Sequence, residues 1–213
     1  MKFIAISQRI IENDSYVEIR EALSCEWGEF FQTHLCGFLP LPLSYAIPFA
    51  TYAKALGESL AGVILSGGND LSSLSPNPNN LNSISKMRDD YEGEIIAHCM
   101  QESMPLLGIC RGTQRIAEYF GSALELLSGH VGNHQVMDSK NQSFIVNSFH
   151  RYGITALGDS LQCLTKAQDE SIEAFSHKLK PIFGLMWHIE RANGMENDAI
   201  FQEWFKMVKA NKV

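Results

Sequence analysis

The stretch PLLGICRGTQ at residues 105–114 constrains this chain more than any other. Residues 105–109 are apolar and read as a buried strand; residues 111–120 read as an amphipathic helix closed by Gly121. Only Cys110 stands between them, so the backbone must turn from strand into helix within one residue. Such a turn leaves almost no room for side chains two positions before and after its apex, and Gly108 and Gly112 occupy both. The layout is a nucleophile elbow with cysteine at its tip, and it requires a sheet whose strands feed helices.

The first half of the chain supplies that sheet. Residues 2–7 read as a strand and 15–34 as a helix, with Val17, Ile19, Leu23 and Trp27 as its recurring apolar positions. Residues 37–43 form an extended apolar run broken by Pro40 and Pro42. Residues 48–56 read as a helix with Gly57 just past its end, and 61–65 as a buried strand entering Ser66-Gly-Gly-Asn-Asp70. Residues 71–84, rich in Ser, Asn and Pro, read as an exposed loop, either a lid or surface slack. A long helix is expected over 85–103. This alternation predicts a parallel sheet covered on both faces.

In the second half, residues 144–149, 161–166, 171–176 and 181–187 read as strands with short connections, which suits hairpins or an antiparallel extension. A final amphipathic helix over 196–210 carries Ile200, Phe201, Trp204, Phe205 and Val208 on one stripe, expected to pack on the sheet. The expected class is therefore α/β: a mostly parallel central sheet flanked by helices, antiparallel in its second half, within a single domain over 1–213.

Composition narrows the function. With 45% hydrophobic residues a sizeable core is assured, and a net charge of −7 argues against a nucleic-acid-wrapping surface. No apolar run reaches the ~18 residues of a membrane helix, and MKFIAISQRI reads as a strand, not a signal peptide. The cysteines (25, 36, 99, 110 and 163) are odd in number and form no CxxC pair, which fits reduced thiols in a cytoplasmic compartment better than a disulfide framework or zinc ribbon.

Cys110 departs from the usual role of cysteine as a small buried hydrophobe. At a helix N-terminus its sulfur meets unpaired N–H groups and a partial positive charge, both favouring thiolate, and the Arg111 N–H points toward a developing oxyanion. A nucleophilic cysteine needs a base. Of seven histidines (34, 98, 130, 134, 150, 177 and 188), His188 follows the apolar strand 181–187. It would therefore emerge at the same sheet edge as Cys110. Glu190 could accept its other N–H. His130 and His134 are four apart, but their segment reads as loop, so shared-face metal ligation is not implied and no metal is expected. Ser66-Gly67-Gly68 lacks the Gly-Lys-Ser/Thr of a phosphate loop; its glycines allow close backbone approach, and one N–H could be a second oxyanion donor, a simple turn being the alternative.

Taken together, LSGGND at 65–70, PLLGICRGTQ at 105–114, GHVGNH at 129–134, VNSFH at 146–150 and WHIER at 187–191 resemble the class I glutamine amidotransferase family, in its order and over most of the chain. Within it, the CRG and NSFH wording resembles the γ-glutamyl hydrolase branch, with Ile189 where that branch often has proline. The whole chain also resembles stand-alone amidotransferase-type proteins of bacterial surface-polysaccharide clusters. The resemblance implies a Cys110–His188–Glu190 triad and an oxyanion hole from the backbones of Gly67 or Gly68 and Arg111. It also implies substrate contacts at Gln114 and in the Ser148, Phe149 and His150 region. It implies no cofactor and a small-molecule γ-glutamyl amide substrate. The alternatives are a glutaminase subunit supplying ammonia to a separate synthetase, a γ-glutamyl-γ-aminobutyrate hydrolase, a cysteine peptidase of the wider fold and a degenerate binding protein. A leaving group bearing phosphates would need local cations in a chain of net charge −7; Arg9, after the first strand, is the first candidate and Arg151 the second.

Overall fold

All six residues from Leu60 to Leu65 are buried, as expected for a central parallel strand covered on both faces. Their side chains alternate between two cores: Ile64 packs with Trp27, Phe30, Phe201 and Trp204, whereas Val63 and Leu65 pack with Phe49, Ile95, Ile96 and Ile116. A computed structural model describes residues 1–13, 15–16, 18–74 and 86–211. In chain order its elements are β1 (Lys2–Ile6), β2 (Arg9–Glu12), β3 (Ile19–Ala22), α1 (Glu26–His34), β4 (Phe38–Pro42), α2 (Phe49–Leu56), β5 (Leu60–Leu65), α3 (Lys86–Glu102) and β6 (Leu106–Ile109). There follow α4 (Arg111–Tyr119), β7 (Ala123–Leu126), β8 (His134–Asp138), β9 (Ser143–Val146), β10 (Tyr152–Ala156), β11 (Leu161–Ala167), β12 (Ile172–His177), β13 (Ile182–Leu185) and α5 (Ala199–Ala210).

The main sheet runs β4-β1-β5-β6-β13-β12-β11-β8-β9. It is parallel from β4 to β13 and antiparallel beyond, and β10 pairs antiparallel with β12 and β7. The expected α/β architecture with an antiparallel extension is therefore what forms. Pro40 and Pro42 sit in β4, an edge of the sheet, where the missing N–H groups cost no ladder bonds. Helices α1 and α5 cover one face; α2, α3 and α4 cover the other. The stripe on α5 packs as expected: Phe201, Trp204, Phe205 and Val208 are buried.

One expectation is corrected. The helix read over 15–34 begins only at Glu26, because the preceding segment folds with β2 into an antiparallel β2–β3 hairpin. Local turn chemistry outweighs the apolar period. The Asn13 side chain accepts from the Ser15 N–H (3.1 Å), and the Asn13 N–H donates to the Glu18 carbonyl (2.9 Å). The hairpin is fastened to the Gly-Gly turn: Ile10 donates to Asn69 Oδ1 (2.9 Å), and Asn69 Nδ2 donates back to the Ile10 carbonyl (3.0 Å). That attachment places Arg9 at the cleft described below. Most of the loop read over 71–84 lies outside the described residues.

Candidate active site

Strands β1, β5, β6 and β13 are mutually parallel, so their C-terminal ends share one edge. The segments leaving that edge begin at Ser7, Ser66, Cys110 and Met186. Cys110 has φ +51° and ψ −107°, a conformation few side-chain-bearing residues adopt. It is held there by its N–H donating to the Leu185 carbonyl (2.8 Å) and its own carbonyl accepting from Gln114 N–H (3.1 Å). The flanking glycines are sterically required. A Cβ on Gly108 would lie 2.7 Å from backbone atoms of Gly112 and Thr113, and one on Gly112 would lie 2.1 Å from the Leu65 carbonyl oxygen.

His188 stands opposite. Its Nδ1 lies 2.6 Å from Glu190 Oε1, leaving Nε2 for the cysteine side. Asn147 clamps its backbone from both sides, accepting from the His188 N–H (2.8 Å) and donating to the His188 carbonyl (2.9 Å). The ring rests edge-on against Phe149. Burial pushes the imidazole pKa down, but hydrogen bonding and charge from the Cys110 sulfur and from Glu190 outweigh it and raise the value to about 9. The ring also lies against Gly67, where a Cβ would fall 2.8 Å from His188 Cε1 and 3.6 Å from Cys110 Cβ.

Beneath the Gly-Gly turn lies Arg88, fully buried. It donates to the carbonyls of Ser66 (2.6 Å), Gly67 (3.1 Å) and Gly68 (3.0 Å) and to Glu92 (2.8 Å). In a trans peptide the carbonyl and the following N–H point oppositely. Drawing the Ser66 and Gly67 carbonyls toward Arg88 therefore turns the N–H groups of Gly67 and Gly68 away from it. The Arg111 side chain joins the same buried network through Asp89 and Glu92, and burial beside Arg88 lowers its pKa to about 9. Arg111 therefore has its backbone N–H, not its guanidinium, to offer a reacting carbonyl.

Cys110 and His188 open onto a cleft of about 310 Å³ whose walls include Arg9, Gln114, His150, Arg151 and Arg191. Gln114 donates to the Tyr152 carbonyl (2.7 Å), and the Arg191 guanidinium stacks on Phe149 at 4.6 Å. Ser148 differs: it is fully buried, and its hydroxyl donates to the His130 carbonyl (2.7 Å), which fixes the turn rather than facing the cleft. Arg88, Asn147 and Arg191 had no role assigned from sequence. Arg88 and Glu92 are four apart on α3, the spacing at which helical side chains meet, and they pair with both side chains fully buried.

Because the imidazole cannot retreat from Gly67 without leaving Glu190 or Cys110, Gly67→Ala is expected to cut kcat/KM at least ~100-fold, the scale of an ångström-sized misplacement. Its thermal transition should stay near that of the wild type. Steady-state kinetics with a melting curve checks this; near-normal turnover would show that the ring has slack.

The description of the class I glutamine amidotransferases matches residues 50–208, and the chain belongs to that family. It is 51% identical over 208 residues, covering 97% of this chain and 99% of the relative, to the γ-glutamyl-CDP-amidate hydrolase of Campylobacter jejuni subsp. jejuni serotype O:2. It is 26% identical over 172 residues to a glutamine-hydrolyzing GMP synthase subunit of Methanospirillum hungatei, covering 76% of this chain and 80% of that one. A crystal structure of a glutamine amidotransferase from Thermotoga maritima superposes with a TM-score of 0.61 at 17% identity, covering 98% of this chain and 83% of the other. The chain is thus a cysteine-dependent amide hydrolase by family.

Proposed function

We propose that this enzyme hydrolyses the γ-glutamyl amide bond of a nucleotide amide, γ-glutamyl-CDP-amidate, releasing glutamate and the phosphoramidate of CDP. The observation that carries the nucleotide reading is the set of three arginines (Arg9, Arg151 and Arg191) around the Cys110 cleft in a chain of net charge −7. Anionic phosphates need such local cations. The near-full-length similarity to a hydrolase of that name supports it. A chain acting alone on a small metabolite in the cytoplasm fits the same reading and requires no synthetase partner. No helix among the described residues is long and apolar enough to cross a membrane.

In the mechanism we infer, the Cys110 thiolate attacks the γ-carbonyl carbon. The oxyanion settles on the N–H of Arg111, one of those the first turn of α4 leaves unpaired, and on those of Gly67 or Gly68. The carbon–nitrogen bond then breaks as His188 Nε2 gives its proton to the leaving nitrogen, and a γ-glutamyl thioester remains. Water, deprotonated by His188, attacks the thioester; glutamate leaves and the thiolate and imidazolium are restored. Glu190 fixes the imidazole tautomer throughout and stabilises its charged form.

A panel of γ-glutamyl amides tests the reading. Arg9 packs against Gly68, where a Cβ would come within 3.1 Å of its Nε, and it lines the cleft. Arg9→Ala is expected to raise KM for the nucleotide amide about 10-fold or more, the worth of one charge-assisted hydrogen bond. Turnover of glutamine or γ-glutamyl-γ-aminobutyrate should barely change. Equal losses on all substrates would make Arg9 a support of the turn. Rapid ammonia release from glutamine with no turnover of nucleotide amides would make the chain the glutaminase component of an amidotransferase instead.

A further inference from the structure

Behind the wall of the cleft, three imidazoles converge on one buried carboxylate oxygen. His130 Nδ1 lies 3.1 Å from Glu173 Oε1, His134 Nε2 3.5 Å and His150 Nε2 3.5 Å. Glu173, His130 and His150 are each at least nine-tenths buried. Yet His130 Nδ1, both nitrogens of His134, His150 Nε2 and both Glu173 oxygens have no hydrogen-bond partner among the described residues. So many orphaned buried polar atoms in one place are costly unless something charged satisfies them together.

We propose that His130 Nδ1, His134 Nε2 and Glu173 Oε1 bind a zinc ion as a structural site, and that His150 Nε2, 3.5 Å from the same Glu173 oxygen but outside the mutually close trio, moves in to complete the tetrahedron. Zinc bonds to imidazole nitrogen and carboxylate oxygen are about 2.0–2.2 Å, so ligand atoms at the corners of a tetrahedron stand about 3.3–3.5 Å apart. The three nitrogen–oxygen separations fall at or close to that edge length, and the ligand atoms of His130, His134 and Glu173 lie within 4.8 Å of one another. The outer contacts favour the ligating tautomers. His130 Nε2 lies 2.9 Å from Asp169 Oδ2, a carboxylate placed to keep the Nε2 proton when a metal displaces the one on Nδ1. His150 Nδ1 lies 3.1 Å from the Tyr152 carbonyl, which holds its proton and frees Nε2. The spacing of His130 and His134 suggested no shared helical face, and there is none: His130 precedes β8, His134 begins it, and β12 brings Glu173 to both. The ion would tie the β8 end, β12 and the turn at Phe149–Arg151, and so brace one wall of the cleft without touching the Cys110 chemistry.

The test uses untagged full-length chain stripped with a chelator and titrated with cobalt(II), then with zinc. Wild type and Cys110→Ser should each take up one equivalent of cobalt with the intense visible bands of tetrahedral coordination, and one equivalent of zinc should abolish them. Zinc should also raise the melting temperature of both, reversibly with chelator. His134→Asn should bind cobalt at least ~10-fold more weakly; Asp169→Asn, at a half-exposed position outside the ligand set, should weaken it ~10–100-fold if His134→Asn fails to fold. No stoichiometric uptake by wild type would overturn the proposal. So would bands that vanish in Cys110→Ser but persist in His134→Asn, since the ion would then sit on the catalytic thiol.

Discussion

Replacing Cys110 with serine or alanine is expected to lower turnover of every γ-glutamyl amide by at least ~10⁴-fold, because no other group in the cleft can form the thioester. Serine is no substitute: an alcohol is a far weaker acid than a thiol, and in Cys110→Ser the sulfur that helps hold the His188 imidazolium is gone as well. A glutamine-site affinity label should modify Cys110 alone among the five cysteines. Cys99 is fully buried and its thiol pKa is pushed up by that burial, Cys163 is pushed up by partial burial, and Cys25 and Cys36 are exposed away from the cleft. A third variant separates chemistry from strain. At φ +51° and ψ −107° a side chain is disfavoured, so Cys110→Gly should be equally dead yet more stable than Cys110→Ala by about 1 kcal/mol. Denaturant melts of the two variants check that order. Substantial activity in Cys110→Ala would remove the nucleophile from the mechanism.

The parts of this molecule legible in the sequence are those governed by local rules. The elbow was readable because its two glycines face backbone, not solvent: Leu65 and Gly112 leave no room for a methyl group. The parallel strands were readable because strands covered on both faces are continuous apolar runs such as Leu60–Leu65. What escaped was set at long range. Strand β7 has hardly a buried residue, and β10 is interrupted by Gly153, packed against Leu127; neither carries the two-residue alternation that marks a strand. The β2–β3 hairpin owes its place to Asn69, nearly sixty residues away. The same distance hid Arg88. Its job is to hold the carbonyls of Ser66, Gly67 and Gly68, which lie some twenty residues earlier, and nothing in the α3 sequence marks it as other than half of a surface ion pair. The backbone of the site is thus aimed by a buried cation that becomes visible only once α3 is laid beneath the turn.

His188→Asn is expected to cost several orders of magnitude in kcat, and Glu190→Gln only about 10–100-fold. The imidazole moves two protons per cycle, whereas the carboxylate orients it and supports its charge. The two carry different pH signatures. Burial alone would lower the His188 pKa; the Cys110 sulfur and the Glu190 carboxylate together raise it to about 9. The protonated ring is the form that donates to the leaving nitrogen, so activity should fall on the alkaline side as pH passes that value. Removing the Glu190 charge removes one of the two anions that favour the imidazolium, so the folded-state pKa must drop. The alkaline limb of kcat/KM, which reports the free enzyme, should therefore move toward lower pH in Glu190→Gln, while the wild-type limb stays near 9. A pH–rate profile of both proteins on one γ-glutamyl amide reads the shift directly. An unshifted limb with a uniformly scaled rate would mean that Glu190 acts by geometry alone. If His150→Asn proved as damaging as His188→Asn, with His188→Asn mild, the base would have been misassigned.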